Sequence, residues 1–84
     1  MRKLARLVYS AVVVLHNEFR VRPYRTVVQK ILCLAMDPED SSRLFVPRYW
    51  GPWSPEVAYI LEALNLAGFL TSRSDDMGTW YVPH

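Results

Sequence analysis

The sequence predicts a mainly α-helical α+β domain: three helices followed by a small C-terminal β-hairpin. Three observations carry that expectation. Apolar residues recur at three- and four-residue steps in three segments, Ser54-Pro55-Glu56 and Gly68 bracket the last of them, and two strand-like runs near the C-terminus flank a turn-rich connector. Eighty-four residues make one domain, 1–84, and 51% hydrophobic with 21% charged residues excludes a disordered chain.

The first helix is expected from about Lys3 to Phe19, with Leu4, Leu7, Val8, Ala11, Val14 and Leu15 on one apolar face. Its reverse side carries a second stripe, Ala5, Tyr9, Val12, Val13 and His16. A small domain has little room to bury both sides, so this stripe is expected to form a homodimer interface. The second helix is expected from about Thr26 to Met36. Thr26-Val27-Val28-Gln29 fits a capping box, Val27, Val28, Ile31, Leu34 and Ala35 form the buried face with Cys33 on its flank, and Asp37-Pro38 ends the helix. A loop is expected over Pro38–Trp53, in which Leu44-Phe45-Val46 can form a short strand limited by Pro47. For the third helix, Ser54 is the N-cap, Pro55 suits the first position and Glu56 complements the dipole. Val57, Ile60, Leu61, Leu64 and Ala67 form the core stripe, and Gly68 closes the helix. Phe69–Arg73 and Thr79–Val82 are the hairpin strands, joined by Ser74–Gly78.

Charge is unevenly distributed. Residues 1–30 hold seven cations against one acid, net +6, and residues 31–84 hold three cations against seven acids, net −4. A polyanion or acidic partner at one end, or mutual neutralisation on folding, would each account for this. The single cysteine, Cys33, excludes an internal disulfide framework and points to a reducing, cytoplasmic home, with a plain structural thiol. The apolar run Leu7–Leu15 after a basic start is followed by His16-Asn17-Glu18 rather than a small-x-small cleavage site, and is too short to span a bilayer. Arg outnumbers Lys eight to two, which agrees with a thermophilic source or a GC-rich genome.

Helix, helix, short strand, helix, hairpin is the order of a winged helix-turn-helix. The stretch Tyr49-Trp50-Gly51-Pro52-Trp53-Ser54 resembles the aromatic-Gly-Pro-aromatic-Ser signature that introduces the third helix in a group of small archaeal and viral winged-helix proteins. The likeness extends to Pro55-Glu56-Val57, Leu61, Leu64 and Gly68-Phe69-Leu70, and upstream to Thr26–Leu32. Trp50 and Trp53 stand where tyrosine or phenylalanine is more usual, and the loop before the motif is long. On physical grounds, Gly51 and Pro52 set a turn, and both tryptophans are large enough to plug it against helices 1 and 2. The resemblance implies DNA binding in the commonest case. Many such domains instead dock proteins, since fold does not fix function.

As a DNA reader, the third helix would present Pro55, Ala58, Tyr59, Glu62 and Asn65, with Leu66 at the margin, and no cation lies between Tyr49 and Ser72. Arg22, Arg25, Arg48 and Arg73 are the expected phosphate contacts, with Ser54, Tyr59 and Asn65 beside them. Four phosphate contacts per subunit make DNA binding depend on a dimer. The leading expectation is therefore a dimeric transcriptional regulator on double-stranded DNA. The alternative is a winged-helix protein-interaction module. A third reading, membrane-surface binding by Arg2, Lys3 and Arg6 beside the apolar run, is weaker. If the four arginines form one stripe beside helix 3, DNA is favoured; if acids interrupt them, docking is. No catalytic constellation is present: His16 and His84 are far apart, Asp75-Asp76 sits on a turn, Cys33 lacks metal-ligand spacing, and there is no phosphate loop. The chain reads as a non-enzyme without cofactor, metal or small-molecule substrate.

Overall fold

In the computed structural model, which describes residues 2–84, the elements run α1 (Arg2–Val13), a π-helical turn (Val14–Glu18), α2 (Arg25–Ala35), α3 (Pro38–Leu44), β1 (Val46–Arg48), β2 (Gly51–Trp53), α4 (Pro55–Leu66), β3 (Leu70–Asp75) and β4 (Gly78–Pro83). The described residues thus form an α+β unit with four helices, not three, and two antiparallel hairpins.

Helix α1 is buried on both sides. It packs against α2 on one flank and against α4 and β4 on another, so Val8, Val12 and Leu15 are enclosed and Leu4, Ala5, Tyr9 and Ala11 gather half-buried around them. Val12, expected on a dimer surface, is 0% exposed and belongs to the core. Leu7 and Val14, expected in the core, are exposed. The α-helix ends earlier than expected and finishes in the π turn, where Phe19 N–H donates to Val14 O at 3.1 Å and Val21 N–H donates to Leu15 O at 3.0 Å. This closure puts Arg20 at φ 54°, a left-handed conformation that favours glycine.

Helix α2 is rotated relative to its expected phase. Val28, Gln29 and Leu32 are buried, while Ile31, Leu34 and Ala35 are exposed, Leu34 at 76%. Thr26 is not the cap, because the helix starts at Arg25 with Tyr24 as its N-cap, whose side chain makes no capping bond. Gln29 is instead fully buried and faces α4. Its Oε1 accepts from Ser54 N–H at 2.8 Å, and its Nε2 donates to Ser54 O at 3.0 Å. A side-chain amide thereby satisfies the backbone N–H of the buried N-cap of α4 and adds a second donor to its carbonyl, which also accepts from Ala58 N–H.

The stretch expected as loop is structured. Asp37 caps α3 by accepting from Glu39 N–H, Pro38 takes the first position, Glu39 and Asp40 fill the first turn and Arg43 the last. Ser41 Oγ donates to Cys33 O at 2.6 Å, tying α3 to α2. The strand lies two residues later than expected, and pairs β1 with β2 across the two-residue turn Tyr49–Trp50: Val46 faces Trp53, Pro47 faces Pro52 and Arg48 faces Gly51. Rungs of an antiparallel ladder alternate between exchanging and non-exchanging pairs. Closure at Arg48 and Gly51 makes the proline rung the non-exchanging one.

Helix α4 follows its sequence signals. Ser54 Oγ accepts from Val57 N–H at 3.2 Å, Pro55 opens the helix, Val57, Ile60 and Leu61 are buried, and Gly68 takes φ 87° after it. In the second hairpin Asp75 faces Gly78, so the turn is shorter than expected. Leu70 and Tyr81 point into the core formed by α1, α2 and α4. Tyr24 forms an isolated antiparallel bridge with Trp80, which ties the segment before α2 to this hairpin.

Replacing Gln29 with Leu should lower the unfolding free energy by about 2 kcal/mol, because it strands the buried Ser54 N–H, while Ser54 O keeps the Ala58 N–H as donor. A urea titration reads this directly, and an unchanged midpoint would remove Gln29 from that role. Arg20→Gly should leave the fold intact and raise stability by roughly 0.5–1 kcal/mol by relieving the left-handed backbone. Thermal melting checks the sign.

Candidate functional site

The outward face of α4 consists of Pro55, Tyr59, Glu62, Ala63 and Leu66, with Ala58 and Asn65 turned half inward. It carries no cation. Tyr59 is 66% and Leu66 79% exposed, and Phe69, just past the helix, is also exposed. Ala5, Tyr59, Ile60, Ala63, Leu64, Ala67 and Phe69 line a groove of about 340 Å³ between α1 and α4, with no charged side chain among them. Tyr9 meets Phe69 edge-to-face at 6.4 Å, so the half-buried flank of α1 and the outer face of α4 are continuous. Sequence reasoning assigned Phe69 to a strand. The groove becomes visible once α1 and α4 lie side by side.

Among the predicted DNA contacts, two are buried or used within the fold and two of the arginines are paired with acids. Ser54 is fully buried, its hydroxyl caps α4 and its backbone is held by Gln29, so it faces no ligand. Asn65 Oδ1 accepts from Ser72 N–H at 3.1 Å, joining the end of α4 to β3. Arg25 lies 3.9 Å from Glu62 and donates from Nε to the Tyr81 hydroxyl at 3.0 Å. Arg22 pairs with Asp75 at 2.6 Å and lies over the Trp80 ring, 4.4 Å from its centroid. Arg48 and Arg73 are exposed and pair with no acid among the described residues, but they sit on different hairpins. Acids thus interrupt the arginine set at two of its four members. Trp50, expected to plug the core, is 57% exposed at the hairpin turn, where it meets the half-buried Trp53 edge-to-face.

A cluster that sequence reasoning missed joins Arg22, Tyr24, Asp75 and Trp80. The Tyr24 hydroxyl donates to the same Asp75 oxygen that pairs with Arg22, and Tyr24 packs tilted on Trp80 at 5.6 Å. The Tyr24 hydrogen bond, then Met77 N–H and Arg22, hold the Asp75 carboxyl below its usual range against the opposing pull of burial. Tyr24 and Asp75 together raise the Arg22 guanidinium above its ordinary value. The cluster joins Arg22 and Tyr24 to Asp75 across more than fifty positions, so no local motif marks it.

Among the described residues, no group of three or more His, Cys, Asp or Glu side chains is arranged to hold a metal, and no helix is long and apolar enough to cross a membrane. The Arg2 side chain lies outside the description.

Since the folded carboxyl binds its proton less readily than the unfolded one, the Asp75 contribution is complete above the ordinary Asp range. It is lost as pH falls through the lower folded value. The melting temperature of the wild type should therefore exceed that of Asp75→Asn at neutral pH, and the gap should close on acidification. A gap that stays constant with pH would contradict the clasp.

Comparison with protein-family models, curated proteins and solved structures finds no match to this chain.

Proposed function

We propose that the chain is a winged helix-turn-helix domain that docks protein through α4, the occupant being a second copy of itself. The element order supports the winged-helix reading: α1, a bridging segment at Tyr24, α2, α4 and the β3–β4 hairpin, with α3 and the β1–β2 hairpin inserted between α2 and α4. The observation that carries the docking reading is the outer face of α4. A helix that reads bases needs donors, above all Arg or Lys, on its groove-facing side. This face instead offers Tyr59, Ala63 and Leu66 edged by Glu62.

Self-association follows from how the patch is edged. An isologous interface must complement itself across a two-fold axis. By helical phase Arg6 lies on the outer side of Ala5 and Tyr9, and Glu62 on the opposite margin of α4. A two-fold copy sets the Arg6 edge of one subunit against Glu62 of the other, which its own Arg25 approaches only to 3.9 Å, with Tyr59, Leu66 and Phe69 between them. In this proposal the half-buried Ala5, Tyr9, Val13 and His16 flank the interface rather than form its centre, and Val12 has no part in it.

A second reading, double-stranded DNA binding by a dimeric regulator, draws on the exposed Arg48, Tyr49 and Trp50 at the hairpin turn and on Arg73. Light scattering and duplex polarisation distinguish the two. Wild-type protein should be dimeric at micromolar concentration, and Leu66→Glu or Tyr59→Glu, both at exposed positions, should be folded monomers. Duplex binding should be weak, indifferent to sequence and lost at moderate salt. A monomeric wild type, or sequence-selective binding abolished by Tyr59→Ala, would overturn the docking reading.

A further inference from the structure

Away from the α4 face, the π turn, the segment after it and Trp80 of β4 border an open cleft of about 500 Å³ lined by His16, Asn17, Arg20, Val21, Arg22 and Trp80. No acid lines it. Asp75, which touches the cleft residue Arg22, is already engaged by Arg22 and Tyr24, and Glu18 is exposed on the turn that carries His16 and Asn17. From the strongly basic first third of the chain, two guanidinium groups and an imidazole are thus brought to one space.

Two features make the cleft more than a solvated basic surface. Arg22 is held in place, with Asp75 on one nitrogen and Trp80 beneath its plane, while a guanidinium carries five N–H donors. Arg20 stands at a left-handed position that favours glycine, so the strain brings a cation to the cleft where none is needed for the turn. The negative end of α1 also points this way, but Phe19 and Val21 N–H groups occupy the Val14 and Leu15 carbonyls there. Paired planar guanidinium groups match the oxygens of a phosphoryl group.

We propose that this cleft binds a phosphoryl group, with Arg20 and Arg22 as its two arms, Asn17 as a polar side and Trp80 and Val21 as its apolar wall. The group can come from a polynucleotide backbone or from a small phosphate ester, and the chemistry is the same. The proposal is independent of how α4 is used.

The test is a nuclear magnetic resonance titration of the full chain with inorganic pyrophosphate at low salt. It follows the Arg20 and Arg22 Nε–H signals and the Trp80 indole N–H, and is repeated with a short DNA duplex as competitor. Saturable shifts at these three groups are expected. Arg20→Gly, which keeps the turn, should bind roughly tenfold more weakly, and Arg43→Gln, at a remote exposed pair, should match the wild type. Displacement of pyrophosphate by the duplex would assign the phosphate to a nucleic-acid backbone, and failure to displace would assign it to a small ester. No saturable shift with either probe, or equal affinity in Arg20→Gly and wild type, would overturn the site.

Discussion

The side-chain amide of Gln29 holds the two central helices in register. An amide has the same donor and acceptor as a peptide unit, and Gln29 uses both on Ser54, which in turn caps α4 with its hydroxyl. The first turn of α4 is therefore fixed to the middle of α2 across twenty-five positions of sequence. Whatever lies between need not set that geometry. This explains how α3 and a hairpin can be accommodated there while α1, α2, α4 and the second hairpin still close on one core.

The same residue explains where the sequence was hardest to read. On α2 the sequence reads Gln29 as a capping partner of Thr26 and Leu34 as core, whereas Gln29 is buried and Leu34 exposed, because a buried polar residue with a complete set of partners is invisible to an apolar pattern. The ends of helix α4 were legible because their signals are local, a cap, a proline, an acid and a closing glycine, and its core stripe held at Val57, Ile60 and Leu61, whereas Leu64 is half-buried and Ala67 exposed. The capping pattern recurs at Asp37-Pro38-Glu39-Asp40, yet there it reads as the end of α2, and seven residues give too little periodicity to expose α3. In α1 both apolar stripes were visible. Their fate depended on how many neighbours the domain could supply, and α2, α4 and β4 together supply enough to bury most of both.

For the candidate site, residue types were legible but their pairings were not. Arg22 with Asp75 and Arg25 with Glu62 join the basic first third of the chain to its acidic remainder, so part of the charge asymmetry disappears on folding. Of the part that persists, Lys3 and Arg6 lie exposed on α1, Lys30 on α2, and Arg20 beside the cleft after the π turn, which differs in character from the apolar strip on α4. The molecule therefore presents chemically distinct faces that composition alone averages away.

The proline rung of the first hairpin bears on a different hazard. In a two-stranded sheet both edges are open, and an open edge is a template for another strand. Residues on a non-exchanging rung direct their backbone groups outward, away from the partner strand. Pro47 and Pro52 face each other on that rung, so each free edge lacks its central N–H donor. A hairpin with an exposed tryptophan at its turn is thus blocked on both sides against growing into a larger sheet or seeding a fibril.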